Sequence, residues 1–284
     1  MKSNSIWDSL KGQFSRGKIT NKIILVNLVV FVLFNLFVLL FQRGIIDYPV
    51  YTIFLFSSEF SEFIFQPWSI FLSIVTHTHL DHFFFNMLFL FFSGMMFEEL
   101  FGERKLILLY ILGGVLGNLF ELLATSLFPH IAPPHTVVGA SGSIMAIFTA
   151  TAFYRPQTPV YIFGMFPIPL YLLALFFYAK DLIGIGSDDH TAHFAHLGGA
   201  LIGFLAQLNP HHKNNILNML SAMFSLKNKK NTAQTKRYKS DDEFNEEKVR
   251  NQERIDKILD KISKSGYESL SREEKKFLFK QGNK

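Results

Sequence analysis

The chain has 284 residues, 49% of them hydrophobic, and 33 are phenylalanine. Its apolar residues come in long uncharged runs, which are typical of membrane proteins and unlike the pattern of a soluble domain. The absence of cysteine excludes disulfides, thiolate metal sites and cysteine nucleophiles. The net charge of +5 describes mainly a C-terminal tail, because 18 of the 28 lysines and arginines follow residue 209.

Six apolar runs predict an all-α membrane protein with six spanning helices. The runs cover residues 23–41, 68–97, 106–128, 141–154, 159–178 and 193–208. The first run lacks a signal-peptide cleavage pattern and is interpreted as a retained anchor. Pro167 and Pro169 are expected to kink the fifth run. Residues 42–66 are aromatic but too interrupted to span, which favours a loop in the headgroup region, and residues 181–190 are predicted to form a polar loop.

The lysines and arginines of the connecting segments predict the orientation. With the N-terminus in the cytoplasm, 26 of them lie inside, and only Arg43 and Lys180 lie outside. We therefore expect an integral protein of a bacterial inner or plasma membrane with both termini in the cytoplasm. Its predicted parts are a cytoplasmic segment (1–22), a six-helix domain (23–209), a polar linker (210–241) and a cytoplasmic helical tail (242–284).

The tail predicts a small helical hairpin. Apolar residues recur at helical spacing up to Ile262, a break follows at Ser265-Gly266, and Ser271-Arg272-Glu273-Glu274 fits a capping box. Two interpretations stay open for this segment. It is either a basic tail that settles on anionic lipid, or a regulatory or protein-binding module.

The motif Gly139-Ala140-Ser141-Gly142-Ser143 offers a candidate nucleophile at the start of the fourth run. A helix of about 14 residues that begins at Ser141 is about 21 Å long at 1.5 Å per residue, shorter than the roughly 30 Å hydrocarbon core of a bilayer. Ser141 is therefore expected at membrane depth. A glycine-rich, non-helical entry at that depth requires surrounding protein or a water-filled cavity.

The sixth run contains His196, an ionisable side chain where membrane helices rarely have one. One interpretation is a buried histidine satisfied by a carbonyl; the other is a general base for Ser141. No carboxylate lies within either run to orient the imidazole, so we predict a Ser141–His196 dyad. Gly199 and Gly203 form a small-xxx-small face that lets a neighbouring helix approach closely.

His82 and Asn86 lie four residues apart in the second run and so share one face of a helix. An imidazole and an amide directed at one point suit an oxyanion, and the backbone N–H groups at the start of the Ser141 helix add a further donor.

Three motifs of the chain resemble the signatures of the rhomboid intramembrane serine proteases, in the family's order. They are His77-x4-His82-x3-Asn86, Gly139-Ala140-Ser141-Gly142 and Ala195-His196-x2-Gly199-x3-Gly203. The resemblance covers about residues 20–209. It implies a six-helix bundle with a water-filled cavity that opens outward, and cleavage of transmembrane segments of other proteins without a cofactor.

The resemblance implies the same roles for these residues and adds one for His77. By this resemblance, Ser141 matches the family's nucleophile and His196 matches its general base. His82, Asn86 and the Ser141 N–H match the groups that form its oxyanion hole. His77 corresponds to a structural residue. The chain departs from the family pattern at three positions, which are Ser69, Leu100 and Met145; the last replaces a tyrosine that packs on the histidine in well-studied members.

Two alternatives accompany this interpretation. His77, His79, Asp81 and His82 fit the H-x-H-x-D-H box of metal-dependent hydrolases of the metallo-β-lactamase fold, although an apolar run follows where that fold needs strands. The second alternative is an inactive relative that binds membrane proteins without cutting them.

The expected partners are transmembrane substrates and the lipid bilayer, with no nucleic acid, metal or cofactor. The substrate and the oligomeric state stay open.

Overall fold

The computed structural model describes residues 17–162, 165–187, 189, 191–210, 212–225, 255, 258–263, 266, 269–271 and 273–275. Most of the described chain is helical. The helices are α1 (Ile19–Gln42), α2 (Phe60–Phe63), α3 (Ser69–Leu72), α4 (Leu80–Phe101), α5 (Glu103–Leu127), α6 (Ser141–Tyr154), α7 (Leu170–Gly184), α8 (His193–Gln207) and α9 (Ile216–Ser225). Short 3₁₀ turns cover Val50–Phe54 and Ser73–Val75.

Two small antiparallel ladders interrupt the helices. Strand β1 (Phe56–Ser57) pairs with β2 (Thr136–Val137), and β3 (Pro159–Ile162) pairs with β4 (Phe166–Pro169). The first ladder joins the loop after α1 to the segment that enters α6. The fold is therefore a helical bundle with two local β-ladders rather than purely α.

Three helices of the described chain are long and apolar enough to cross a membrane, namely α1, α4 and α5. Helix α1 exposes valines and leucines along most of its length, such as Val29 and Val32, as expected for a helix that faces lipid. Helices α6, α7 and α8 have 14 or 15 residues, or about 21–23 Å. The helices are compatible with a membrane bundle.

Helix α6 is the centre of this bundle. It packs against α4, α5, α7 and α8, and every residue from 142 to 152 is buried. A helix that is apolar on all sides is stable only when it is surrounded. The structure confirms the predicted bounds of this helix, because it begins at Ser141 and ends at Tyr154.

Glycines set the distance between α6 and its neighbours. A Cβ atom on Gly199 would collide with the carbonyl of Gly142, and one on Gly203 would collide with the carbonyl of Ala146. On the opposite face, a Cβ atom on Gly113 of α5 would collide with the Ala146 side chain. The predicted small-residue face of α8 is therefore confirmed as a close backbone contact.

The second and fifth predicted runs are not continuous helices. The second breaks into α3, a 3₁₀ turn, an extended loop over 76–79 and α4. The fifth begins as the β3–β4 hairpin, because Pro167 and Pro169 remove backbone donors and disfavour helix before Leu170. Helix α7 then continues through Asp181 to Gly184. The prediction of a polar loop from residue 181 was thus wrong at its start.

The predicted linker also contains a helix. In α9, Leu217 is 2% exposed and joins the core of the bundle. Asn215 explains why the helix begins there, since its Oδ1 accepts the Leu217 N–H at 3.0 Å and its amide donates to the Ala206 carbonyl at 2.8 Å. The remainder of the predicted linker, residues 226–241, lies outside the described residues.

The chain divides into two compact units, 1–228 and 229–284. In the second unit, residues 258–263 are helical and Gly266 has a φ of +75°. The Ser271 N–H donates to Glu274 Oε2 at 2.7 Å, and the Glu274 N–H donates to Ser271 Oγ at 3.3 Å. These reciprocal bonds confirm the predicted capping box. Much of the predicted hairpin lies outside the described residues.

Candidate active site

The entry into α6 is a turn that only glycine adopts readily. Gly139 has a φ of +121°, where a side chain is strained. The Gly139 N–H donates to the Ser73 carbonyl at 2.9 Å, and the Ala140 N–H donates to His77 Nε2 at 3.3 Å. The first N–H groups of a helix have no acceptor within it. Because the N–H groups of Gly139 and Ala140 are already paired, the first N–H group at this end without a helical acceptor is that of Ser141. Buried His77 thus supports the turn.

The two serines of the motif lie in different surroundings. Ser141 is partly exposed at the first position of α6, whereas Ser143 is fully buried against Gly114 of α5. The Ser143 hydroxyl has no hydrogen-bond partner among the described residues. A reacting molecule can therefore reach the hydroxyl of Ser141 but not that of Ser143.

His82 and Asn86 lie on the first turns of α4, beside this entry. A Cβ atom on Gly139 would lie only 2.6 Å from Cε1 and 2.9 Å from Nε2 of His82, so the imidazole packs directly on the glycine. The His77 and His82 rings are 5.2 Å apart. The Asn86 amide donates one hydrogen bond to the His82 carbonyl at 2.8 Å. It keeps a second N–H, because an amide carries two donors.

Polar side chains of α1 and α5 hold the segment that leads to His77. The Tyr110 hydroxyl donates to the Ile74 carbonyl at 2.9 Å and accepts a hydrogen bond from the Asn27 amide at 3.0 Å. The Asn118 amide donates to Ser73 Oγ at 2.9 Å. These contacts fix an irregular loop inside the bundle, where its backbone groups need protein partners.

The close approach of α6 and α8 brings together the backbone segments that contain Ser141 and His196. The Cβ position of Gly142 lies 3.3 Å from the Ala195 carbonyl oxygen, and Ser141 and His196 are the chain neighbours of these two residues. Among the described residues, no hydrogen bond joins Ser141 Oγ to the His196 ring. Such contacts are often long in unliganded enzymes and tighten when substrate binds.

A carboxylate that the sequence analysis did not identify contacts His196. Asp181 Oδ1 lies 2.9 Å from His196 Nδ1 and 3.0 Å from His193 Nδ1. Asp189, in the loop before α8, lies 3.2 Å from His193 Nε2. Burial acts to raise the pKa of Asp189, but the Thr191 N–H and His193 outweigh it and lower that pKa. The sequence signal for Asp181 was an acidic residue at the end of an apolar run.

A second buried carboxylate supports the start of α8. Glu121 of α5 is 1% exposed, and its Oε2 accepts the Ala195 N–H at 2.8 Å. Its other oxygen lies 3.9 Å from His135 Nε2. Both residues line a cavity of about 90 Å³, together with His193 and the loop after α7. That volume is large enough for a few water molecules.

The predicted metal box does not converge. His77 is buried, whereas His79 and Asp81 are exposed. Among the described residues, the only group of three or more potential ligands that meets is formed by Asp181, His193 and His196, with ligand atoms within 4.8 Å of one another. Among the residues that the structure describes, His77, His79, Asp81 and His82 therefore do not form such a group.

The departures from the rhomboid pattern are partly explained by local contacts. Ser69 is buried, and its hydroxyl donates to the Gln66 carbonyl at 2.6 Å. Glu98, two residues before Leu100, accepts the N–H groups of Ile19 and Thr20 at 2.8 and 2.9 Å. It thereby anchors the N-terminus of α1. Met145 is buried in the middle of α6.

Comparison with protein families gives two matches. A model described as the rhomboid domain matches residues 65–211, just over half of the chain. It contains α3 to α8 and every candidate residue described above. A model described as a family of unknown function matches residues 238–280, in the tail.

Several curated proteins are similar to the chain. RHOMBOID-like protein 12, mitochondrial, of Arabidopsis thaliana is 30% identical over 146 residues, which covers 47% of this chain and 44% of the relative. Rhomboid protease AarA of Providencia stuartii is 31% identical over 170 residues, which covers 54% of this chain and 60% of that protein. Inactive RHOMBOID-like protein 8 of Arabidopsis thaliana is 31% identical over 81 residues, which covers 28% of this chain and 23% of that protein. The chain spans less than two thirds of each of these relatives.

Proposed function

The chain belongs to the rhomboid family, and on that premise we propose that it is an intramembrane serine endopeptidase that cleaves transmembrane segments of other proteins. The observation that carries the proposal is the meeting of α6 and α8. The two helices are in close contact at Gly142 and Ala195, the chain neighbours of Ser141 and His196, and the ring of His82 packs on Gly139 at the same end of α6.

In the proposed reaction, Ser141 Oγ forms a bond to the scissile carbonyl carbon while His196 Nε2 takes the hydroxyl proton. His196 then gives that proton to the leaving amine as the C–N bond breaks. Water, deprotonated by His196, releases the acyl group from Ser141. The negative charge on the carbonyl oxygen is stabilised by the Ser141 N–H, the His82 ring and the free N–H of Asn86.

The substrate must lose its helical structure at the cleavage point. The carbonyls of an intact helix are engaged in internal hydrogen bonds, so a peptide bond has to unwind before Ser141 can attack it. Glycine near the membrane boundary lowers that cost, because it is a poor helix former. We therefore expect cleavage near one end of the substrate's transmembrane segment.

The proposed topology has six crossings and both termini in the cytoplasm, because that arrangement puts nearly all lysines and arginines inside. The natural absence of cysteine makes a direct test simple. An impermeant maleimide added outside intact cells is expected to label Ser187→Cys, in the loop after α7, and to spare Arg104→Cys, at the start of α5. The reverse pattern would contradict this topology.

The activity is tested with the full chain in liposomes and a labelled transmembrane peptide. Cleavage is expected in the wild type and is expected to fall by about 10³-fold or more in Ser141→Ala and in His196→Ala. The matched control is Ser143→Ala, which removes a buried hydroxyl without a partner and should leave the rate nearly unchanged.

An inactive scaffold would behave differently, and one similar relative has "inactive" in its name. Such a protein would bind the peptide without cutting it, in the wild type and in all three variants. Cleavage that survives in Ser141→Ala would equally reject the proposed nucleophile.

A further inference from the structure

Asp181 lies where it can control the proposed base. Its side chain is 3% exposed, and one oxygen, Oδ1, contacts Nδ1 of both His193 and His196. It lies in the last turn of α7, whereas the two histidines lie in the first turn of α8. The contact therefore links the end of α7 to the start of α8 at the His196 ring.

We propose that Asp181 is a positioning residue that fixes the tautomer and the direction of His196. A carboxylate accepts hydrogen bonds and does not donate them, so the contact places a hydrogen on His196 Nδ1. The lone pair of the neutral ring is then on Nε2, the nitrogen available to Ser141. Asp181 also offsets the positive charge that His196 gains when it takes a proton. The inference rests on the proposed function of Ser141 and His196.

His193 fixes Asp181 from the other side. Its Nδ1 faces Asp181 Oδ1 at 3.0 Å, and its Nε2 faces Asp189 Oδ1 at 3.2 Å. Both carboxylates only accept hydrogen bonds, so the two contacts hold the ring from both of its nitrogens. His193 is 5% exposed, and a Cβ atom on Gly184 would lie 3.0 Å from its Nδ1 and closer still to its Cε1 and Nε2. The ring has little freedom to move.

The start of α8 is also a favourable place for this negative charge. Unpaired N–H groups and the helix dipole give the first turn of a helix a partial positive charge. Asp181 and Glu121 approach this turn from α7 and α5, but they make different contacts. Glu121 accepts the backbone N–H of Ala195, whereas Asp181 contacts the imidazoles. Of the two, only Asp181 makes a hydrogen-bond contact with the His196 ring.

The kinetic test compares two isosteric changes, Asp181→Asn and Asp189→Asn. Both remove a carboxylate that contacts His193, but only Asp181 also contacts His196. With the transmembrane peptide in liposomes, we expect kcat to fall by about 10²–10⁴-fold in Asp181→Asn, with KM within about twofold of wild type. Asp189→Asn should stay within about threefold, and Asp181→Glu should recover part of the lost kcat because it restores the charge.

Two kinetic results would overturn the proposal. One is a kcat for Asp181→Asn that is close to that of Asp189→Asn. The other is a loss that lies in KM, or that Asp181→Glu does not relieve, since both would indicate structural support alone. Each assay is repeated with EDTA. The rates should not change, and a loss that zinc restores would mean that Asp181, His193 and His196 hold a metal instead.

A measurement on the unmutated chain covers the case in which Asp181→Asn fails to fold. Histidine labelled with ¹⁵N reports by NMR which ring nitrogen carries hydrogen, and His196→Ala identifies the signals of His196. We expect the neutral ring to carry hydrogen on Nδ1, and the opposite tautomer would contradict the proposal. This result does not depend on cleavage. A wild-type protein that cuts nothing would reject the proposed function, whereas the wrong tautomer rejects the role of Asp181.

Discussion

The two halves of the candidate site are held by different kinds of contact. Ser141 is fixed by backbone packing, in which Gly139 accommodates the His82 ring and Gly142 contacts α8 without a side chain between them. His196 is fixed by charge, because Asp181 contacts its ring and Glu121 accepts a hydrogen bond from its neighbour Ala195. We call these the packed half and the charged half.

This difference predicts how each half responds to change. Packing between backbones leaves no space for added atoms, so any side chain in the packed half must displace a helix. Hydrogen bonds and charges depend on chemistry rather than volume, so isosteric changes in the charged half should alter reactivity with little effect on the fold.

Among the changes that test this comparison, the largest effect is expected at His82, whose ring packs on Gly139 and is proposed to donate to the oxyanion. His82→Ala should lower kcat by about 10²–10³-fold, as the loss of one oxyanion donor typically does. His79→Ala is the matched control, because His79 is exposed three residues earlier and should leave the rate unchanged. Equal rates for the two variants would show that His82 does not take part in the reaction.

The next effect tests the packed half through the fold itself. Gly199→Ala places a Cβ atom against the Gly142 carbonyl, and backbone cannot yield as a flexible side chain can. We expect a loss of about 1–3 kcal/mol of stability, with reduced cleavage. Thermal unfolding in detergent measures the loss of stability. Leu201→Ala, on an exposed position of the same helix, serves as the control, and unchanged stability in Gly199→Ala would contradict the close contact.

A smaller effect tests the charged half. Glu121→Gln keeps an acceptor for the Ala195 N–H but removes the charge, which makes that hydrogen bond weaker by about 1 kcal/mol. We expect a modest loss of stability and a decrease in kcat of less than about tenfold. Glu99→Gln, at an exposed carboxylate of α4, controls for the change of charge. A loss in Glu121→Gln as large as that of Asp181→Asn would remove the distinction between the two carboxylates.

The smallest effect concerns a carboxylate at a helix start, Glu274 in the tail. The Ser271 N–H, then Lys261, lower its pKa below the ordinary 4.5. Its stabilising contribution is therefore fully present above that value and is lost as the pH falls through the lowered folded-state pKa. Hydrogen exchange at the Glu274 amide, corrected for intrinsic rates, should show less protection at the lower pH. Protection that does not change would exclude a role of the charge in this cap.

The packed half was largely predictable from the sequence, and the charged half was not. The bounds of α6 followed from Ser141, Arg155 and the apolar residues between them, because a buried helix leaves a local pattern. The glycines of α8 likewise have a fixed spacing. These are properties of short stretches of chain, and the structure retains them.

Asp181 escaped prediction because its partner lies 15 residues away on another helix. Whether it ends a helix or starts a loop depends on how α7 packs, and local propensity does not determine that. The β3–β4 hairpin was missed for a related reason, since an apolar run with two prolines fits a kinked helix and a strand almost equally well. The sequence analysis did not single out Glu121, because the Ala195 N–H that it accepts lies on another helix, 74 residues away.

The central claim is that the hydroxyl of Ser141 is activated by His196, and one labelling experiment tests it most directly. The reconstituted protein is treated with a serine-directed fluorophosphonate, and the modified residue is located by mass spectrometry. The account predicts a single adduct on Ser141 that is lost in His196→Ala and kept in Ser143→Ala. An adduct on another serine, or labelling of Ser141 that is equally fast without His196, would contradict it.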